Sequence, residues 1–273
     1  ALYHPRHDRH SIDRLELAAQ LRNALHHRQL IVHYQPKIPT GPDAPPAVEA
    51  LVRWHHPQHG TLTPNRFIPV AEQTGLITPI THYVLQTAIC QCQAWRQAGL
   101  EISVSVNIST RTLLDHSLPA TIQALLAEHQ LPPGALQLEI TETRLVTDLR
   151  STRAMLERLR QTGVTIAIDD FGTGYSSLKQ LQQLPINEIK IDRTFTAHIQ
   201  TNPDDVTLLR TIIDLAHNLG LQVTAKGVET STTHQALAQL GCDYTQGHHH
   251  SPPLPPHRCR QLLLRHQAQQ LAA

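Results

Sequence analysis

The chain is short of aromatic residues, long apolar runs and blocks of like charge, and each shortage excludes something. Phe, Trp and Tyr make up 4% of the residues, so the core has to be aliphatic, and a hydrophobic content of 40% is ample to supply it. No run approaches the ~18 apolar residues that a spanning helix needs, and the N-terminus carries no apolar signal segment. This reading predicts a cytoplasmic domain, whose parent protein is still free to be membrane-tethered. Lys+Arg 23 against Asp+Glu 22 leaves a formal charge of +1 with no basic tract, which excludes a duplex-binding footprint. An anionic ligand must therefore be held by a focused site.

Zinc-type cysteine pairing is also missing. Cys90-x-Cys92 is too short for a C-x2-C knuckle, and Cys242 and Cys259 stand apart. Reduced thiols are expected, with Cys90 and Cys242 as small buried fillers. Histidine is abundant, 20 residues in all, and densest at His248-His249-His250. That tract reads as an exposed loop, with adventitious transition-metal binding as the other reading. It does not decide function.

What the chain does contain is a repeated placement. Six apolar or β-branched runs lead to Glu49, Asn107, Glu139, Asp169-Asp170, Lys190 and Gln246. Helical patterns separate most of them: 15–30 with Ser11 or Asp13 as a cap, 67–72, 80–98, 117–129, 150–161, 175–184, 204–218 and 256–270. Strands are predicted at 31–35 (stopped by Pro36), 48–54, 103–108, 135–140, 165–169, 187–191, 221–225 and 243–246. In helix 204–218, Leu208, Leu209, Ile212, Ile213 and Ala216, with Leu219 just beyond, are read as the inward face. No linker divides the chain. Eight alternating units predict an α/β fold, a (β/α)8 TIM-type barrel, whose strand ends converge on one face. Glu, Asn and Asp are hard oxygen ligands that suit Mg2+ or Mn2+ better than zinc. Trp54, Trp95 and Phe67 are assigned to packing.

Several ordered motifs sharpen this. Tyr34-Gln35-Pro36, Glu49-Ala50-Leu51-Val52-Arg53-Trp54, Phe67-Ile68-Pro69-Val70-Ala71-Glu72 and Val106-Asn107-Ile108-Ser109 come first. Leu138-Glu139-Ile140-Thr141-Glu142, Asp169-Asp170-Phe171-Gly172-Thr173-Gly174-Tyr175-Ser176-Ser177-Leu178, Lys190-Ile191-Asp192-Arg193 and Gln246-Gly247 follow. Together they resemble the EAL domain family, phosphodiesterases that hydrolyse the bacterial messenger cyclic di-GMP. The resemblance implies that Glu49, Asn107, Glu139 and Asp169 hold one divalent metal, and that Asp169 and Asp170 share a second. It makes Lys190, Glu142 and Gln246 catalytic: Lys190 steadies water or developing charge, Gln246 orients a ligand, and Glu142 anchors the loop 169–178. Gln35 and Leu51 would line the nucleotide groove and Arg53 would meet a phosphate. A homodimer is implied by analogy. Ala1-Leu2-Tyr3 and the basic residues after it resemble the end of a GGDEF domain, so residues 1–12 are read as a tail and 13–273 as the EAL domain.

One position departs from the pattern. Lys226, in Ala225-Lys226-Gly227-Val228-Glu229-Thr230, stands where the family has a glutamate for the second metal. An ammonium about 4 Å from a divalent ion costs on the order of 8 kcal/mol at an effective dielectric near 20. Four outcomes are open: Lys226 swings away, it is neutralised, the second metal is lost, or the ammonium replaces that metal. His248, His250 and Pro252 depart from the family's aromatic and Arg positions beside a guanine. An enzyme with impaired turnover, a cyclic di-GMP receptor and a scaffold without ligand are the three functions left, and the enzyme is favoured.

Overall fold

The structure, a computed structural model, describes residues 5–41, 44–142, 149–174 and 178–272. Ala1-Leu2-Tyr3 and Tyr175-Ser176-Ser177 lie outside the described residues. Among the described residues, nine strands form one sheet: β1 Leu30–Pro39, β2 Ala47–His56, β3 Gly60–Leu62, β4 Ser103–Asn107, β5 Leu136–Thr141, β6 Thr165–Phe171, β7 Glu188–Ile191, β8 Gln222–Ala225 and β9 Tyr244–Thr245. The sheet closes because β1 pairs with both β2 and β9, while β3 is an outlying hairpin partner of β2. Eight strands therefore make the barrel, as the alternation predicts.

Its strands do not all run one way. β1 is antiparallel to both neighbours, whereas β2 and β4 through β9 pair in parallel. Nor does Pro36 stop the first strand, which runs on to Pro39. Pro36 falls between a bridge from Tyr34 to Leu254 and the pairing of Ile38 with Thr245, where the missing N–H breaks no ladder bond.

Other boundaries shift for identifiable reasons. The first helix spans Pro5–His26, so Ser11 and Asp13 lie inside it rather than capping it, and it crosses the expected boundary after residue 12. The helix read at 67–72 spans Pro64–Thr74, because proline is accommodated at the first helical position. The helix Pro203–Asn218 buries Leu209, Ile212, Ile213 and Ala216, but Leu208 is exposed rather than inward. Cys90 is exposed, while Cys92, Cys242 and Cys259 are buried.

Packing follows the period of two. Val104, Val106, Leu136, Leu138, Ile166, Ile168, Ile189, Ile191, Val223 and Ala225 are buried outward against the helices. Trp54, Phe67 and Trp95 pack as expected, Trp54 edge-on to Phe67 at 5.8 Å between ring centres. Among the described residues, no helix is long and apolar enough to cross a membrane.

Candidate active site at the barrel rim

The alternate residues of the same strands are polar, and they bond to one another across the barrel interior in two layers. In the lower layer Lys37 Nζ donates to Gln137 Oε1 at 2.7 Å and to Glu188 Oε1 at 3.1 Å. Gln137 Nε2 and Thr224 Oγ1 donate to Glu188 at 2.7 and 2.6 Å. Burial raises the Glu188 pKa, but Lys37 and then the Thr224 and Gln137 donors outweigh it, so the net shift is downward. This charge pair is self-contained. Moving two residues along β5, β7 and β8 leads from Gln137, Glu188 and Thr224 to Glu139, Lys190 and Lys226, and into the upper layer.

The upper layer centres on Lys190, which is fully buried. Its Nζ donates to Glu139 Oε2 at 2.5 Å and Glu49 Oε2 at 2.8 Å, and lies 3.8 Å from Asp169 Oδ1. Burial alone would lower the Lys190 pKa, but Asp169, Glu139 and Glu49 hold it well above its ordinary value. The surrounding carboxylates thus favour the charged, donating form of Lys190. Asn107 Nδ2 donates to Glu49 Oε1 at 2.7 Å, and Gln246 Nε2 to Glu49 Oε2 at 2.8 Å. The two glutamates separate electrostatically. Burial raises Glu49, yet Lys190 and Lys226 bring it well below the carboxylate range. Glu139 is pushed up to about 7 by burial and by Glu49 beside it.

Asp169 and Asp170 are consecutive, and consecutive strand residues ordinarily point to opposite faces. Here both reach Lys226. A register shift between Ile168 and Phe171 bulges β6 against β7, and Asp170 takes a left-handed φ of 53°. Lys226 Nζ then lies 2.8 and 2.9 Å from the Asp169 oxygens and 2.7 Å from Asp170 Oδ1. Burial and Lys190 both pull the Lys226 pKa down, but Asp169 and Glu49 leave it raised. Lys226 is thus turned toward both aspartates, which favour its charged form.

Glu142 Oε2 accepts from the backbone N–H of Gly172 at 2.8 Å and of Gly174 at 3.1 Å, tying down the turn after β6. Gly172 has φ 96°, and a Cβ there would come within 2.5 Å of the Phe195 ring. On β2, Glu49, Leu51 and Arg53 share one face by the same period of two. Leu51 lines a cleft of about 380 Å³ together with Glu49, Asn107, Asp169 and Asp170. Arg53 is half-buried on that strand and donates to the Val52 carbonyl at 3.3 Å. Gln35, opposite Glu49 in the β1–β2 register, accepts from Gln246 at 3.3 Å and donates to the Ser251 carbonyl at 3.2 Å.

The strands thus bring the sequence-predicted metal-site residues together with Lys190 and Gln246, while Arg53, on the same face of β2, is within electrostatic reach of Glu49 but makes its hydrogen bond to the Val52 carbonyl. Only Asn107 closes its strand; Glu49 is third of ten, because β2 continues beyond the rim. The histidine tract is not wholly exposed: His250 Nε2 is 2.8 Å from Thr245 Oγ1, and burial, then His234, pull its pKa down to about 4. The lower layer, Thr196 (whose hydroxyl bonds the Lys226 carbonyl at 2.6 Å) and Ser251 were not singled out from sequence. The lower layer was legible two residues before each rim residue.

Among the described residues, no three His, Cys, Asp or Glu side chains converge, as they stand, on a point that a metal can occupy. Lys190 and Lys226 lie between the carboxylates. The donor set nevertheless fits one hard divalent cation in kind, and Glu139 Oε1 and Gln246 Oε1 are buried without hydrogen-bond partners. For a second cation at Asp169 and Asp170 the residues do not fit, because an ammonium holds that position.

Fold and rim together define a TIM-type barrel domain with an oxygen-rich charged site at the strand ends. The chain belongs to the EAL domain family, which it matches over residues 18–253. It is 42% identical over 246 residues to MucR of Pseudomonas aeruginosa, a bifunctional diguanylate cyclase/cyclic di-GMP phosphodiesterase, covering 89% of this chain and 36% of MucR. It is 36% identical over 254 residues to the cyclic di-GMP phosphodiesterase PdeR of Escherichia coli, covering 93% of this chain and 38% of PdeR. The chain therefore spans little more than a third of either relative. The solved PaMucR phosphodiesterase–c-di-GMP complex superposes with a TM-score of 0.84 at 41% identity, covering 89% of this chain and 99% of that one. The EAL enzyme Bd1971, in its cAMP- and cyclic-di-GMP-bound form, gives 0.86 at 31% identity, over 93% and 69%.

Proposed function

We propose that this rim binds cyclic di-GMP and hydrolyses one phosphodiester to linear 5′-pGpG, at a rate restrained by Lys226. The observation that carries the reading is the buried Lys190, held by Glu49 and Glu139 beside Asn107 and Asp169, in a chain 42% identical to MucR. A phosphodiester resists hydrolysis because it is anionic and water is a poor nucleophile. Water attacks phosphorus, the bond to the 3′ oxygen breaks, and a 5′-phosphate and a 3′-hydroxyl result.

Glu49, Asn107, Glu139 and Asp169 are the residues that would hold one Mg2+ or Mn2+. When bound, that ion neutralises phosphate and lowers the pKa of its water. Lys190, charged throughout, donates toward the oxygen on which charge develops. Gln246 and Asn107 fix the two oxygens of Glu49, and Glu142 fixes the loop bearing Asp170. Gln35 and Leu51 border the nucleotide and Arg53 meets a phosphate. Homodimerisation and a GGDEF-like domain preceding residue 13 belong to the same proposal and rest on the family resemblance.

A second reading, a cyclic di-GMP receptor without turnover, is favoured by the three bonds of Lys226 to Asp169 and Asp170. The two separate on incubation with cyclic di-GMP and Mg2+ or Mn2+, following the linear product by chromatography. Linear product establishes the enzyme, whereas binding heat without product establishes the receptor.

A further inference from the structure

Both oxygens of Asp169 and Oδ1 of Asp170 already face a cation. Lys226 Nζ lies within hydrogen-bond distance of both Asp169 oxygens and of Asp170 Oδ1, and an ammonium has the three N–H donors to serve them. The root of the side chain is fixed as well. The Lys226 amide donates to the Ile191 carbonyl at 3.1 Å, and its own carbonyl accepts from Thr196 Oγ1 at 2.6 Å. The Lys226 side chain is 23% exposed and that of Asp169 7%, so the contact to Asp169 is largely shielded from water, whereas Asp170 is 40% exposed.

The other side of the rim differs. Glu139 Oε1 and Gln246 Oε1 are buried acceptors without a donor among the described residues. Such atoms call for a cation or a donor, and the Asp169–Asp170 pair does not. Charge points the same way. Glu49, Glu139, Asp169 and Asp170 face the two ammoniums of Lys190 and Lys226. The four carboxylates outnumber the two ammoniums, so the rim still calls for a further cation.

We infer that Lys226 is a resident cation: its ammonium takes the place of one divalent ion at Asp169 and Asp170. The rim then admits a single divalent ion, on the side of Glu49, Asn107 and Glu139. The inference rests on reading the rim as a cation-assisted nucleotide site, but it can be tested without nucleotide.

The test is a Mn2+ titration of the full chain, stripped of metal, with free Mn2+ read by electron paramagnetic resonance. One Mn2+ per wild-type chain is expected, and two per Lys226→Glu chain, with the bound signal broadened by coupling between the ions. Two ions on the wild type, or none, overturn the inference, as does a folded Lys226→Glu chain that still binds one. Should Lys226→Glu fail to fold by circular dichroism, Lys226→Gln decides. It should bind two Mn2+ where the wild type binds one, and a single bound Mn2+ overturns the inference. Calorimetry with cyclic di-GMP keeps the two claims apart. One Mn2+ without nucleotide binding rejects the functional reading alone; two Mn2+ with nucleotide binding reject only the role of Lys226.

Discussion

Lys190 of β7 and Glu139 of β5 meet at 2.5 Å inside the barrel, and neither side chain is exposed to solvent. The contact joins strands that are not neighbours in the sheet, so it is a crosspiece of the barrel as well as part of the rim.

Removing its positive end should therefore damage both roles. Breaking a buried ion pair by deleting one partner costs about 3–5 kcal/mol. Lys190→Met is expected to lower the stability of the metal-free chain by that order in urea denaturation and to abolish linear product. Wild-type stability would show that Glu49 and Glu139 are satisfied without it.

The lower layer gives a cleaner energetic test because it lies outside the reaction. Lys37→Met alone strands the buried Glu188 and should cost about 3–5 kcal/mol. Adding Glu188→Leu removes the stranded charge, so the double variant should be destabilised by less than the sum of the singles. A double-mutant cycle in urea measures the coupling, and strict additivity would contradict the pairing.

How much of this was legible beforehand depended on range. Glu49, Asn107, Glu139, Asp169 and Lys190 could be placed on one face because period-two alternation and strand order are local properties of the chain. The reversal of β1 was hidden, since Pro36 is a stop signal locally and only its position between two pairings makes it harmless. The departure at Lys226 was visible from motif spacing. Its three bonds were not, because they need a bulge and a left-handed Asp170 that no propensity announces.

Glu142 is expected to act through the loop. Glu142→Ala removes the acceptor for two backbone N–H groups, at Gly172 and Gly174. Amide exchange at both glycines should accelerate, and turnover should fall more than cyclic di-GMP affinity. Unchanged exchange would mean that the turn is held by other contacts.

Acid stability should report the histidines. His250 is drawn from 6.5 to about 4 by burial and by its His234, His249 and His266 neighbours, and His234 is lowered as well. Between these values the unfolded chain binds more protons than the folded one. The contribution is thus full above 6.5 and is lost as pH falls toward 4. Glu139, raised to about 7, works oppositely, adding stability as pH falls from 7 to its ordinary 4.5. Urea midpoints across this range should flatten in His250→Asn and steepen in Glu139→Gln. Identical slopes would contradict both assignments.

The most direct measurement of the account is the yield of linear dinucleotide from cyclic di-GMP in Mn2+, for wild type and Lys226→Glu side by side. Product is expected from both, at least about tenfold faster in the variant, equivalent to about 1.4 kcal/mol of barrel-rim stabilisation of the transition state. Absence of product from both chains, with no binding heat for the nucleotide, would contradict it.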